Sequence, residues 1–209
     1  MKGNELVSTD VKAIRDKNDL STDERLMLDG DHRMIPLSEG PSLISRDLTK
    51  AFNTQIGHEF GASMQYVGIA AHFQQRDLTL LANLFFSQAE EERQHAMKFV
   101  KYVLDVKGEL QIPQIPPPST TFNSAQEAVA AALKWEHEVT GQITRLMDHA
   151  VKENDYLAQS FLQWFVDEQL EEVVKMGRLL SVIRRSGERN LLMVEGYLST
   201  AAKRLELKA

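Results

Sequence analysis

Apolar and small residues recur along most of the chain at intervals of three and four, the period of helices that bury one face. From Leu43 to about Gln74 the repeat runs through Phe52, Ile56, Phe60, Ser63, Val67 and Ala70. A second run, from Leu78 to about Asp105 with Asp77 placed to cap it, carries Leu81, Leu84, Phe85, Gln88, Phe99 and Val103 on one stripe. Ser124-Ala-Gln-Glu127 is a capping box that opens a third helix bearing Val129, Leu133, Val139, Ile143 and Leu146. Asn154-Asp155 marks a tight break before a fourth helix with Phe161, Phe165, Met176, Leu179 and Ile183 in register. Gly187 suits its C-terminal stop, and a short fifth helix, about Leu191 to Leu205, follows.

Four helices of roughly 30 residues are about 45 Å long. Short links join the first to the second and the third to the fourth, so each pair forms an antiparallel hairpin. The second-to-third connection contains Pro113, Pro116, Pro117 and Pro118 and is long enough to run the length of a bundle. The predicted fold is all-α, a four-helix bundle with one long crossover and a short fifth C-terminal helix. Residues 1–41 depart from the pattern: they hold 6 basic and 9 acidic residues with few large apolar ones. They read as a polar N-terminal extension, in which a second capping box, Ser21-Thr-Asp-Glu24, predicts a short helix through Leu28. The helical domain then spans residues 42–209.

Composition narrows the chemistry. With 209 residues, 43% hydrophobic and 26% charged, the chain is long and apolar enough for one globular core. A net charge of −6 disfavours general binding to nucleic acid or to an anionic membrane. No stretch approaches the roughly 18 apolar residues of a membrane span, and the polar N-terminus shows no secretory signal, so a cytoplasmic protein is expected. Cysteine is absent, which excludes disulfides, thiolate metal sites and a cysteine nucleophile. A bound metal must take its ligands from histidine, carboxylate or carbonyl groups.

Carboxylates interrupt the apolar stripes. In the first helix Glu59 follows Ile56 by three and shares a face with Tyr66, two turns on. In the second, Glu92 and His95 form an i, i+3 pair between Gln88 and Phe99. Glu136 sits between Leu133 and Val139 in the third, and Glu168, Gln169, Glu171 and Glu172 lie between Phe165 and Met176 in the fourth. Any one of these glutamates alone would read as part of a solvated face. Together, one or more per helix at mid-length, they require compensation, because a lone buried carboxylate is heavily penalised. Arg93 and Lys175 are near in sequence, but helical spacing is expected to turn them off the stripe. A shared cation satisfies the pattern, and carboxylates with one imidazole suit iron or manganese and tolerate zinc. The spacing points to two ions: Glu59, Glu92 and His95 around one, and Glu92, Glu136 and Glu172 around the other, with Glu92 bridging.

The segments Gln55-Ile-Gly-His-Glu59 through Gln65-Tyr66-Val67, Ser87-Gln-Ala-Glu-Glu-Glu-Arg-Gln-His95-Ala-Met97, Trp135-Glu136 and Phe161 through Glu172 resemble the non-haem bacterial ferritins, closest in style to the actinobacterial type. The resemblance covers about residues 43–205 and implies the ferritin-like form of the bundle. It implies a ferroxidase that oxidises Fe²⁺ with dioxygen or peroxide at a dinuclear centre, and a homo-oligomeric shell of twenty-four subunits storing ferric mineral. Carried over by residue, Glu59, Glu92 and His95 hold the first iron, and Glu92, Glu136 and Glu172 the second. Gln169 matches the glutamine that orients dioxygen or water, Tyr66 the tyrosine beside the centre that can lend an electron, and Trp164 an aromatic neighbour of the centre that can do likewise. Glu91, Glu168 and Glu171, with Glu172, match a third iron site found in some relatives.

Two departures matter. Where di-iron relatives have a second Glu-x-x-His, this chain reads Gln169-Leu-Glu-Glu172, so the second iron has no imidazole and a centre that passes iron onward is expected. Arg93 stands where bacterioferritins carry the haem methionine, so no haem is expected.

Overall fold

The computed structural model describes the backbone of residues 26–28, 34–36 and 40–206, with side chains from 40 to 200. The chain divides into two units, Met1–Pro41 and Ser42–Ala209. In the first, β1 (Leu26–Leu28) pairs antiparallel with β2 (Met34–Pro36), Met27 opposite Ile35. The helix expected through Leu28 is therefore corrected at residues 26–28, where the chain is extended. Two short apolar triplets separated by a segment containing Asp29-Gly30 favour paired strands over a helix of so few residues. The capping box at residues 21–24 lies outside the described residues.

The second unit is all-α. Its helices are α1 (Arg46–Gln74), α2 (Thr79–Asp105), α3 (Ala125–Lys152), α4 (Tyr156–Ser186) and the short α5 (Leu191–Glu206), the last preceded by a single 3₁₀ turn. α1 packs along α2 and α3 along α4, with α1 also against α3. Among the described residues, no helix is long and apolar enough to cross a membrane.

Local chemistry explains the ends. The hydroxyl of Ser124 accepts from the Glu127 N–H at 3.0 Å, and the Asp155 carboxylate accepts from the Ala158 N–H at 2.9 Å. Both are N-caps of the expected kind. The Glu127 carboxylate reaches the Asn123 backbone instead of that of Ser124, so the box closes one residue further back. Asp77 is a correction. It does not cap α2, whose first residue outside is Leu78, without a side-chain cap of its own. Instead Asp77 adopts φ 58° and terminates α1, with Asp77 N–H donating to the Gln74 carbonyl and Leu78 N–H to that of Phe73. This is the Schellman pattern, and Lys107 and Asn154 close α2 and α3 in the same way at φ 56° and 57°. The α2 start is capped from elsewhere: the Glu195 carboxylate of α5 accepts from the N–H groups of Leu80 and Leu81, both at 2.8 Å. Glu188 serves the α3 start similarly, through Ala125 and Gln126.

The crossover between α2 and α3 lies against α1. Asn53 donates to the Glu109 carbonyl and accepts from the Gln111 N–H, while Gln65 pairs with both the N–H and the carbonyl of Ser119. Gly68 permits that approach, since a Cβ there would meet the Ser119 carbonyl oxygen at 2.5 Å. Coverage by the crossover buries α1 on more than one face. Of the expected stripe, Phe52, Ile56, Ser63 and Ala70 are buried and Phe60 packs partly buried against the core, whereas Val67 is 40% exposed; Glu59, Tyr66 and Phe73 are buried as well.

The core has two apolar halves. One gathers Ile69, Phe73, Phe85, Val129, Met176 and Ile183, the other Phe52, Ile56, Phe99, Ile143, Leu162 and Phe165. Between them in chain position on every helix lie the buried polar residues Glu59, Ser63, Gln88, Glu92, His95, Glu136, Gln169 and Glu172.

Candidate metal centre

Each of the five principal ligand candidates is buried, none more than 4% exposed. Glu59, Glu92 and His95 bring one potential donor atom each to within 4.8 Å of one another, the only such group of three among the described residues. The pairing within α2 follows from helical geometry: Glu92 and His95, three apart, face the same way, and the His95 Nδ1 lies 3.1 Å from the Glu92 carboxylate. The ring of His95 is fixed edge-on by Trp164 and Phe165, at centroid distances of 5.4 and 5.9 Å. Gln55, one turn before Glu59, donates to its Oε1 at 2.8 Å.

Glu136 faces a different set of partners. Its Oε1 accepts a hydrogen bond from the Tyr66 hydroxyl, and its Oε2 lies 3.4 Å from the Gln169 amide nitrogen. That amide also reaches Thr140, whose hydroxyl donates to the Glu136 carbonyl one turn back. Glu172 Oε1 accepts from the Lys175 ammonium at 2.8 Å. Three carboxylate oxygens, Glu59 Oε2, Glu92 Oε1 and Glu172 Oε2, are buried without any hydrogen-bond partner.

Electrostatics follow from that crowding. Burial, then the charge of Glu92, holds the Glu59 carboxyl well above the ordinary carboxylate range. Burial and Glu92 also push Glu136 up to about 8 despite the Tyr66 hydrogen bond, and burial raises Glu172 against the pull of Lys175. Tyr66 rises well above its usual value through burial and the adjacent Glu136. Glu59, Glu136 and Glu172 therefore hold protons more tightly than free carboxylates do, and a cation bound there would compete with those protons.

The outer residues behave differently. Glu91 and Glu168 are partly exposed and Glu171 is exposed. Glu91 accepts from Lys175 at 3.0 Å. Lys175 therefore corrects the sequence expectation: three residues past Glu172, its flexible stem returns the ammonium to the stripe, where it also meets Gln88 Oε1 at 3.0 Å. Arg93 does turn outward, to Glu90. Gln55, Thr140 and Lys175 were missed as site residues, though each stands three or four positions from a candidate ligand, the spacing at which helical side chains meet.

A buried layer of glutamates with one histidine, carried by all four helices of a crossover bundle, defines a carboxylate-rich metal protein of the hard-cation kind. Residues 49–186 match the ferritin-like domain family. Over 145 residues the chain is 45% identical to ferritin BfrB of Mycolicibacterium smegmatis, covering 69% of this chain and 80% of that one. A bacterial non-heme ferritin of Staphylococcus haemolyticus is 35% identical over 146 residues, 70% of this chain and 88% of the relative. Among solved structures, an open pore ferritin from the archaeon Archaeoglobus fulgidus superposes with a TM-score of 0.73 at 30% identity, covering 76% of this chain and 98% of its own. The chain belongs to the ferritin family, and its function is iron storage. The buried Glu59, Glu92 and His95 group is compatible with a ferroxidase centre.

Proposed function

We propose that this protein is a ferroxidase that oxidises Fe²⁺ at a dinuclear centre within each subunit and stores the ferric product inside a hollow homo-oligomer. The observation that carries the reading is the set of unpartnered buried oxygens on Glu59, Glu92 and Glu172, a hard anionic donor set that suits divalent iron. Glu59, Glu92 and His95 hold one substrate ion. Glu92, Glu136 and Glu172 hold the second, with Glu92 shared. Each Fe²⁺ gives one electron to dioxygen or peroxide. Gln169 orients the oxidant or water, and Tyr66 is positioned through Glu136 to supply an electron.

The absence of an imidazole on the second ion makes it the looser one, in keeping with a centre that releases its product to a mineral. Haem is not required. The ferritin-like domain spans residues 42–209, with residues 1–41 as a polar extension. The shell of twenty-four copies works in the cytoplasm, with neither nucleic acid nor membrane as partner.

The test is Glu92→Ala, which removes the shared ligand. The variant is expected to elute as the wild-type particle and to lose the fast phase of Fe²⁺ oxidation in air. Wild-type initial rates in an assembled Glu92→Ala protein would sink the assignment.

A further inference from the structure

The ammonium of Lys175 spends its three donors on three acceptors from two helices: Gln88 Oε1 and Glu91 Oε2 of α2, each at 3.0 Å, and Glu172 Oε1 of α4 at 2.8 Å. The arrangement is graded in burial. The Glu172 side chain is 1% exposed, whereas Lys175 and Glu91 are each 41% exposed, so the ammonium sits between the buried layer and solvent. Glu91 and Glu172 are two of the four carboxylates from which a third iron site would be assembled. Both already accept a hydrogen bond from one ammonium that the chain itself supplies.

Resting on the ferroxidase reading above, we infer that Lys175 is a built-in counter-cation that takes the place of a third iron ion, limiting each subunit to the dinuclear pair. A divalent ion entering between Glu91 and Glu172 must expel the ammonium or stand beside it against like-charge repulsion. Displacement would break three hydrogen bonds and leave Gln88 as a buried amide without this partner, whose Nε2 already has none. Lys175 also acts as a positioning residue. By holding Glu172 Oε1 on the outer side, it leaves Oε2, buried and unpartnered, for the second ion of the pair. The remaining two carboxylates of the expected third site, Glu168 and Glu171, are left on the more exposed side of α4.

The experiment counts ions without turnover. Assembled wild type, Lys175→Arg, Lys175→Met and Lys175→Gln are titrated with Fe²⁺ under strict anaerobiosis by calorimetry, and again with redox-silent Zn²⁺. Wild type and Lys175→Arg are expected to take up about two tight ions per subunit, while the two neutral variants gain a further one. The neutral pair guards against a single misfolded variant, and particle elution confirms assembly. Three tight ions in wild type, or an unchanged count in both assembled neutral variants, would overturn the role of Lys175 and leave the dinuclear centre standing. A wild-type count below two strikes the ferroxidase centre itself, and the inference with it.

Discussion

Glu136 and Tyr66 share a hydrogen bond in the middle of the bundle, and their chemistry in the metal-free protein has a definite sign. A carboxyl whose folded pKa is about 8, against an ordinary value of 4.5, binds its proton more tightly in the folded state. Its stabilising contribution is complete below 4.5 and is lost as pH rises through about 8. Metal-free protein is therefore expected to melt at a lower temperature near pH 8 than near pH 5.5, and Glu136→Gln should flatten that slope; thermal denaturation at the two pH values checks both. Adding Zn²⁺ should raise the melting temperature more at the higher pH, because metal and protons compete for the same oxygens. Tyr66→Phe leaves Glu136 Oε1 without its donor, a loss of about 1–3 kcal/mol for a buried group, measurable by denaturant unfolding of the metal-free protein. The ligand candidates were legible as residues because a glutamate on an apolar stripe violates its local environment wherever the chain goes next. Lys175 was not, because a four-carbon stem lets its head group leave the face its Cα occupies.

Helix ends show the same division at the level of elements. The α3 and α4 starts were readable from Ser124 and Asp155, whose side chains bond N–H groups three residues ahead. The α2 start was not, because its cap is Glu195, 115 positions away. Glu195→Ala should cost roughly 0.5–2 kcal/mol by exposing two orphan N–H groups at a helix N-terminus, and fraying should appear as faster amide exchange at Leu80 and Leu81. The crossover makes a sharper demand on α1. Gly68→Ala would set a methyl against the Ser119 carbonyl oxygen, and Gly57 meets the Pro113 ring in the same manner. Overpacking of this kind typically costs about 1–3 kcal/mol. A Gly68→Ala protein with unchanged melting temperature would mean that the crossover does not hold to α1 as described. Of the stripe read in α1, Val67 alone is exposed, while Gln65 and Gly68 are buried in addition: periodicity assumes one covered face, and α1 is covered on the crossover side as well.

At the scale of the whole molecule, two apolar halves stabilise the bundle and leave a buried polar layer at mid-length in each helix, where a bound cation would offset the cost of burying the carboxylates. Storage then requires an assembly with an interior. Twenty-four copies of a 23.7 kDa chain would elute at about 570 kDa. Loaded with Fe²⁺ in air well beyond two ions per subunit, that particle is expected to retain hundreds or more ferric ions, measured by metal analysis of the eluted peak. Saturation at about two per subunit on a small oligomer would indicate a di-metal enzyme instead. By itself the sequence determined the five helices of residues 42–209, the crossover and the identity of the ligand candidates, since a period of 3.6 residues dictates which side chains share a face. Only the tertiary structure decided which faces meet, which ends are capped from afar and that an ammonium lies between Glu91 and Glu172. Those contacts join residues far apart in the chain, where helical periodicity carries no information and packing alone selects the partner.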